Sequence, residues 1–368
     1  MRTIYHLGLH KTGSTSLQFF LHRNQQQLAR AGILFPPVSQ QGLARFNADA
    51  KQRSLASMPV LNDYMGHNAL AYRMINEAVP GFVFPPVHEP MTTVAKALSQ
   101  ISEQARGAHT LIFCSEDLCR ASLMVPAVPM RFARAFGTQD TTLIANIRRP
   151  DAAIASWQTQ RLRFGVPFAP LHADPPEAWL GTVHFEYRAA LEPWLQAFPE
   201  ANLCLQSYDR LHAQGGSIQS FTALPGLGLP SDLVTLPDTN SGLPYALLEI
   251  ARQSLDALPQ ARSRAFISYL ERAAVRLELP SNHQVELFAP GTRTALHRAF
   301  KDIHEWLCQL TGSWPFFFDL DAMATPPDMH ILDVTRQALP ALVRDASIHL
   351  QDADLRAFLK RISVLARA

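Results

Sequence analysis

The chain has 368 residues, a formal net charge of +2, 47% hydrophobic residues and 17% charged residues. This is an ordinary globular composition, long enough for one large domain or two smaller ones. Its nearly balanced charge excludes a broad nucleic-acid-binding face, which needs concentrated basic charge.

Predicted elements begin at once with a short apolar strand, Thr3 to Leu7. The opening residues Met1 to Gly8 hold too short an apolar stretch for a secretory signal, and no small-residue cleavage site follows. No apolar run reaches the ~18 residues needed to span a bilayer. A cytoplasmic protein without a membrane span is therefore expected. A helix follows the strand, with Leu17, Phe20, Leu21 and Leu28 on one face and Gly32 placed to end it. The stretch 35–107 is rich in Pro, Gln, Met and Asn and is expected to be an irregular, partly helical insertion. It forms either an acceptor wall or a plain structural excursion.

Three more apolar runs, Thr110 to Cys114, Thr141 to Ile147 and Asn202 to Gln206, are expected to be buried strands separated by helical stretches. That alternation predicts an α/β three-layer sandwich with a central parallel sheet. Pro150 suits the first turn of the next helix. After Gly215-Gly216 the pattern turns helical to the end, with helices expected at Tyr245 to Leu255, Arg262 to Leu277, Thr292 to Leu310, Val334 to Val343 and Asp354 to Leu365. A main domain over 1–310 and a helical extension over 311–368 follow. Cys114, Cys119, Cys204 and Cys308 lack the paired spacing of a zinc site, and no metal is expected.

The strongest chemical signal is Gly8-Leu9-His10-Lys11-Thr12-Gly13-Ser14-Thr15-Ser16. It leaves a predicted strand and opens a predicted helix, where backbone N–H groups and a helix N-terminus converge on an anion. Gly8 and Gly13 fit the glycine frame of a nucleotide phosphate loop, but Ser14 stands where a triphosphatase carries Lys. The lysine is instead Lys11, inside the loop. Lysine is scarce here (elsewhere only Lys51, Lys96, Lys301 and Lys360), so its presence in a motif is informative.

The segment His6 to Gln18 resembles the 5′-phosphosulfate loop of the sulfotransferases that use 3′-phosphoadenosine-5′-phosphosulfate (PAPS), especially the bacterial and carbohydrate-type members. The resemblance implies that Lys11 touches the bridging oxygen and that Thr12, Gly13, Ser14, Thr15 and Ser16 bind the 5′-phosphate. Relatives commonly carry Pro where this chain has His10, so a catalytic role for His10 is not inherited. Sulfuryl transfer needs no metal in this reading. By analogy with phosphoryl transfer the transition state is loose, and catalysis is positioning plus electrostatics.

A second segment supports the same donor. The strand ending at Ile147 runs into Arg148-Arg149-Pro150, and Ser156 follows on the next helix. An Arg at a strand end with a Ser nearby can clamp a phosphate, and the pattern resembles the family's 3′-phosphate site, carried here by Arg148 and Ser156. The likeness spans about 1–310.

The acceptor's proton needs a base. Ser115-Glu116-Asp117 lies at the end of a predicted strand, where open α/β sheets place their sites. Glu116 is the first candidate for the base, and carbohydrate-type relatives often use a Glu. Equally, one of these three residues can cap the helix that follows. His10 is the second candidate. His67 and Arg45, with Asp49, are candidate contacts for the acceptor, a small molecule or glycan. Two rivals remain: a kinase-like phosphotransferase, and a non-catalytic nucleotide-binding protein.

Overall fold

The computed structural model describes residues 1–9, 12–39, 42, 44, 47, 66–84, 91–165, 167–235 and 242–365. The chain is an α/β protein organised around a parallel five-stranded sheet. Its strands are β1 (Arg2–His6), β2 (Ile33–Leu34), β3 (Thr110–Cys114), β4 (Thr141–Ile147) and β5 (Asn202–Ser207), in the order β2-β3-β1-β4-β5. The four strands expected from the apolar runs are present. β2 is too short to leave a sequence pattern.

β1 is central, with Ile4 opposite Ile112 and Tyr5 opposite Phe113. Successive side chains of a strand point to opposite faces, and both faces are covered. On one, Ile4, Ile112 and Ile144 pack with Leu17, Phe20, Leu21 and Leu28 of the first helical stretch. On the other, Tyr5 stacks on Phe113 at 5.4 Å and meets Trp194 at 5.2 Å and Phe198 at 5.0 Å. Every residue of β3 and β4 is buried. This is why those strands read as unbroken apolar runs rather than alternating ones.

The expected first helix is in fact two, Ser14–Arg23 and Gln25–Arg30. The break is Asn24. Its buried amide donates to the carbonyls of Phe20 and Val234, at 2.9 and 3.0 Å, and its Oδ1 accepts the Val234 N–H at 2.8 Å. A side chain that bonds its own backbone competes with helix continuation. Within the insertion, the helices Gly66–Ala78 and Val94–Gln104 are formed.

The chain divides into two compact units. The first comprises Met1–Arg149, Gly181–Asp238 and Lys301–Phe318, and the second comprises Pro150–Leu180, Thr239–Phe300 and Asp319–Ala368. The boundary expected at 310 falls inside the helix Thr292–Thr311. The sheet belongs to the first unit.

The second unit holds the helices Pro150–Phe164, Tyr245–Ala257, Gln260–Ala274, Ile331–His349 and Ala353–Leu365. A two-stranded parallel pair, β6 (Val285–Glu286) and β7 (Met329–His330), interrupts the helical pattern expected there. Arg293 bonds both Asp151, at 2.7 Å, and Glu286. Among the described residues no helix is long and apolar enough to cross a membrane.

Candidate active site

The crossover after β1 leads towards β2, and the one after β4 leads to β5 on the opposite side of the sheet. Open α/β sheets bind ligands where crossovers diverge, outside the carboxyl ends of the strands. The loop after β1 emerges there. Its closing turn is held by Thr12, whose hydroxyl donates to Leu9 O at 2.6 Å, and by Ser217, whose hydroxyl donates to Gly13 O at 2.8 Å.

Gly13 lies at φ 86°, the left-handed region that favours glycine. At Gly8 the constraint is space: a Cβ would stand 1.9 Å from Ser14 Oγ. Both glycines of the motif are thus fixed by the return of the chain onto the helix Ser14–Arg23. No side chain among the described residues caps that helix, and its first internal bond runs from Leu17 N to Gly13 O at 3.2 Å. The N–H groups of Ser14 and Thr15 therefore lie outside the intrahelical ladder, at the positive end of the helix dipole. Ser14 Oγ is buried and has no hydrogen-bond partner among the described residues. Thr15 is exposed and Ser16 half-buried. His10, Lys11, Arg45 and Asp49 lie outside the described residues.

Glu116 stands at the end of β3, beside β1. Of the two roles the sequence left open, the cap falls to its neighbour: Ser115 Oγ accepts the Asp117 N–H at 3.0 Å, and Glu116 makes no capping bond. The Glu116 carboxylate instead accepts from Gln18 Nε2, at 3.0 Å, and from Asn68. Burial, and secondly the charge of Asp117, push Glu116 up to about 7, against the pull of its own N–H, Asn68 and Gln18. Asp117 is also raised by burial, opposed by the charge of Arg120 at 3.4 Å and by the Tyr72 hydroxyl. Two adjacent carboxyl groups are thus held in different surroundings, the arrangement that separates an acid from a base. A buried carboxyl near 7 can take and return a proton at neutral pH.

His67, the expected acceptor contact, is buried and fully engaged. Its Nδ1 accepts the Cys114 N–H at 3.0 Å and its Nε2 donates to Pro36 O at 3.0 Å. The neutral ring has no nitrogen left for a ligand and serves as a brace between the insertion and β3. Desolvation lowers it to about 4. His6, at the end of β1, is likewise neutral and buried, with Asn146 at 3.3 Å and Cys114 Sγ at 3.5 Å. A cavity of about 210 Å³ opens among His6, Asn146, Gln206, Ser217 and Ser220, at the carboxyl ends of β1, β4 and β5.

Arg148 leaves the end of β4 with its guanidinium 5.0 Å over the Tyr208 ring, and its main-chain carbonyl accepts the Tyr187 hydroxyl at 2.7 Å. Those bonds make Tyr187 and Tyr208 braces for Arg148. Ser156, buried on the helix Pro150–Phe164, belongs to the second unit.

Sequence reasoning singled out Glu116 but missed Gln18, Asn68 and Tyr72. Gln18 carried one signal: it is a polar residue next to Leu17 on the buried side of an amphipathic helix. No protein-family model, no curated protein and no solved structure matches the chain.

Proposed function

We propose that the chain is a sulfotransferase that moves a sulfuryl group from PAPS to a hydroxyl or amine, with a carbohydrate or glycan as the acceptor class. The carrying observation is a pairing at the carboxyl ends of adjacent strands. A helix N-terminus without a side-chain cap, and with a buried hydroxyl unpartnered among the described residues, follows β1, and a buried carboxyl held near 7 ends β3. Sulfuryl transfer asks for these two parts. Donors must meet the charge growing on the leaving phosphate, and a base must take the acceptor's proton.

In this reading the fold is a three-layer sandwich whose first loop is a P-loop-like 5′-phosphosulfate loop. The N–H groups of Thr12 to Ser16 and the hydroxyls of Ser14, Thr15 and Ser16 receive the 5′-phosphate. Lys11 meets the oxygen that bridges phosphorus and sulfur, and Arg148 takes the 3′-phosphate. The S–O bond to the bridging oxygen breaks as the acceptor oxygen or nitrogen bonds to sulfur. The acceptor's proton passes to Glu116, and the leaving phosphate keeps the electron pair. His10 is the alternative base.

Calorimetric titration with 3′-phosphoadenosine-5′-phosphate, in the absence of metal, tests the donor site against ATP with magnesium. Tight binding of the bisphosphate and weak binding of ATP are expected. The opposite preference would replace this reading with that of a kinase-like phosphotransferase.

A further inference from the structure

Gln18 is a fully buried amide in the middle of the helix Ser14–Arg23. Its Nε2 stands within hydrogen-bond distance of three acceptors: Asn68 Oδ1 at 3.0 Å, Cys114 O at 3.2 Å and Glu116 Oε2 at 3.0 Å. A primary amide has two N–H hydrogens, so three acceptors compete for two donors. On its other side Gln18 Oε1 has no donor among the described residues. Buried polar groups are normally paired, so this imbalance is a cost to the fold. The amide makes sense as a partner for a carboxyl group that changes its proton count. With Glu116 ionised, the Gln18 N–H is needed as a donor. With Glu116 protonated, the carboxyl supplies a hydrogen of its own and releases the amide to Asn68 and Cys114.

The placement adds a second point. Gln18 follows Ser14 by four residues, which puts both on one face of the helix. Both carry a buried oxygen without a partner among the described residues. One helix face thus presents its first turn to the loop and its second turn to the carboxyl end of β3.

We propose that Gln18, assisted by Asn68, is a positioning residue that holds the Glu116 carboxylate oriented and ionised, and ties it to the helix whose N-terminus cradles the anion. Its role in proton abstraction rests on the sulfotransferase reading. Its hold on the charged carboxylate does not.

The ionisable groups facing Glu116 among the described residues are Asp117 on the helix that follows β3, Tyr72 on the helix Gly66–Ala78 and Cys114 on β3, with Arg120 acting through Asp117. Asp117 opposes ionisation of Glu116. Gln18 and Asn68 are neutral donors that favour it.

Carbon-13 NMR of carboxyl-labelled glutamate, with Glu116→Gln for assignment, reads the Glu116 titration directly. Gln18→Met keeps the length of the side chain and removes the N–H. It is expected to raise the midpoint by about one pH unit, and to move the pH profile of PAPS breakdown with water as acceptor equally to the alkaline side. An unchanged midpoint in a folded Gln18→Met protein overturns the proposal. If that variant does not fold, Asn68→Ala is read by the same midpoint and decides in the same sense. Titration of the wild type with 3′-phosphoadenosine-5′-phosphate separates the two ideas. Absence of binding would sink the donor reading, while the midpoint still decides what Gln18 does.

Discussion

At the scale of single residues, Glu116 sets function against stability. Its carboxyl titrates at about 7 in the fold against 4.5 as a free side chain, because burial and the Asp117 charge penalise the ionised form. A raised carboxyl pKa means that the folded state holds the proton more tightly than the unfolded one. The contribution to stability is fully present below the unfolded value and is lost as pH rises through 7. Glu116→Gln cannot ionise, so at pH 8 the variant is expected to be more stable than wild type by about 1–3 kcal/mol in urea titrations. Under the proposed sulfotransferase reading, the same variant is expected to lose ~10²-fold or more in sulfuryl transfer, the range for removing a general base. A destabilised Glu116→Gln protein at pH 8 would show that its hydrogen bonds outweigh its buried charge. Arg148 is the complementary case. Its guanidinium rests on Tyr208, and no carboxylate among the described residues pairs with it. Under the same proposal, Arg148→Ala is expected to weaken binding of 3′-phosphoadenosine-5′-phosphate by about 2–5 kcal/mol while leaving turnover at saturation close to wild type. Wild-type affinity in calorimetry would remove Arg148 from the donor site.

At the scale of elements, the β1-loop-helix unit is held by close packing rather than by a cap. A Cβ on Gly8 would meet Ser14 Oγ at 1.9 Å, so Gly8→Ala must displace the Ser14 hydroxyl at the start of the helix. Donor affinity is expected to fall ~100-fold, with part of it regained in a Gly8→Ala, Ser14→Ala double variant, which removes the colliding hydroxyl. Equal losses in the single and double variants would place the strain elsewhere. This unit was legible in the sequence because each requirement is local: an apolar strand, two glycines and an amphipathic helix within a few turns of chain. The strands were legible for the same reason, their burial on both faces leaving unbroken apolar runs. The break at Asn24 was not, since its amide is committed to Val234, 210 residues away. Gln18 and Asn68 were hidden likewise, because Gln18 joins partners 50 and 98 residues distant. The two-residue strands β2, β6 and β7 are too short to show any period. The location of Glu116 at a strand end was readable; its freedom from capping depended on which way Ser115 turned.

At the scale of the whole molecule, burial of neutral imidazoles in the first unit makes its stability depend on pH. His6 and His67 are lowered to about 4 by desolvation, and His184 to about 3 by desolvation and then by the Arg120 charge, all against 6.5 when free. A folded pKa below the unfolded one means that the unfolded chain takes up the protons first. The contribution of each ring is fully present above 6.5 and is lost as pH falls towards 4. Each proton is worth about 1.4 kcal/mol per pH unit. Glu116 runs the other way below 7, and Asp117 and Glu186, also raised by burial, act in the same sense, so the three imidazoles leave a net loss of at most about 2–3 kcal/mol per unit between pH 6 and 5. Domains hold about 5–15 kcal/mol in total, so one or two pH units consume much of the first unit's margin. Protonation of His67 also sets its Nδ1 hydrogen against the Cys114 N–H, which loosens the brace on β3. Hydrogen exchange of the β1 and β3 amides, followed from pH 7 to 4.5 and corrected for intrinsic rates, should therefore lose protection steeply below 6. The Cys114 amide is expected to be among the first to go, and His67→Gln should flatten the slope by about one proton. Protection that stayed level across this range would mean that the three rings titrate in the fold as they do in water, and that their burial exacts no electrostatic cost.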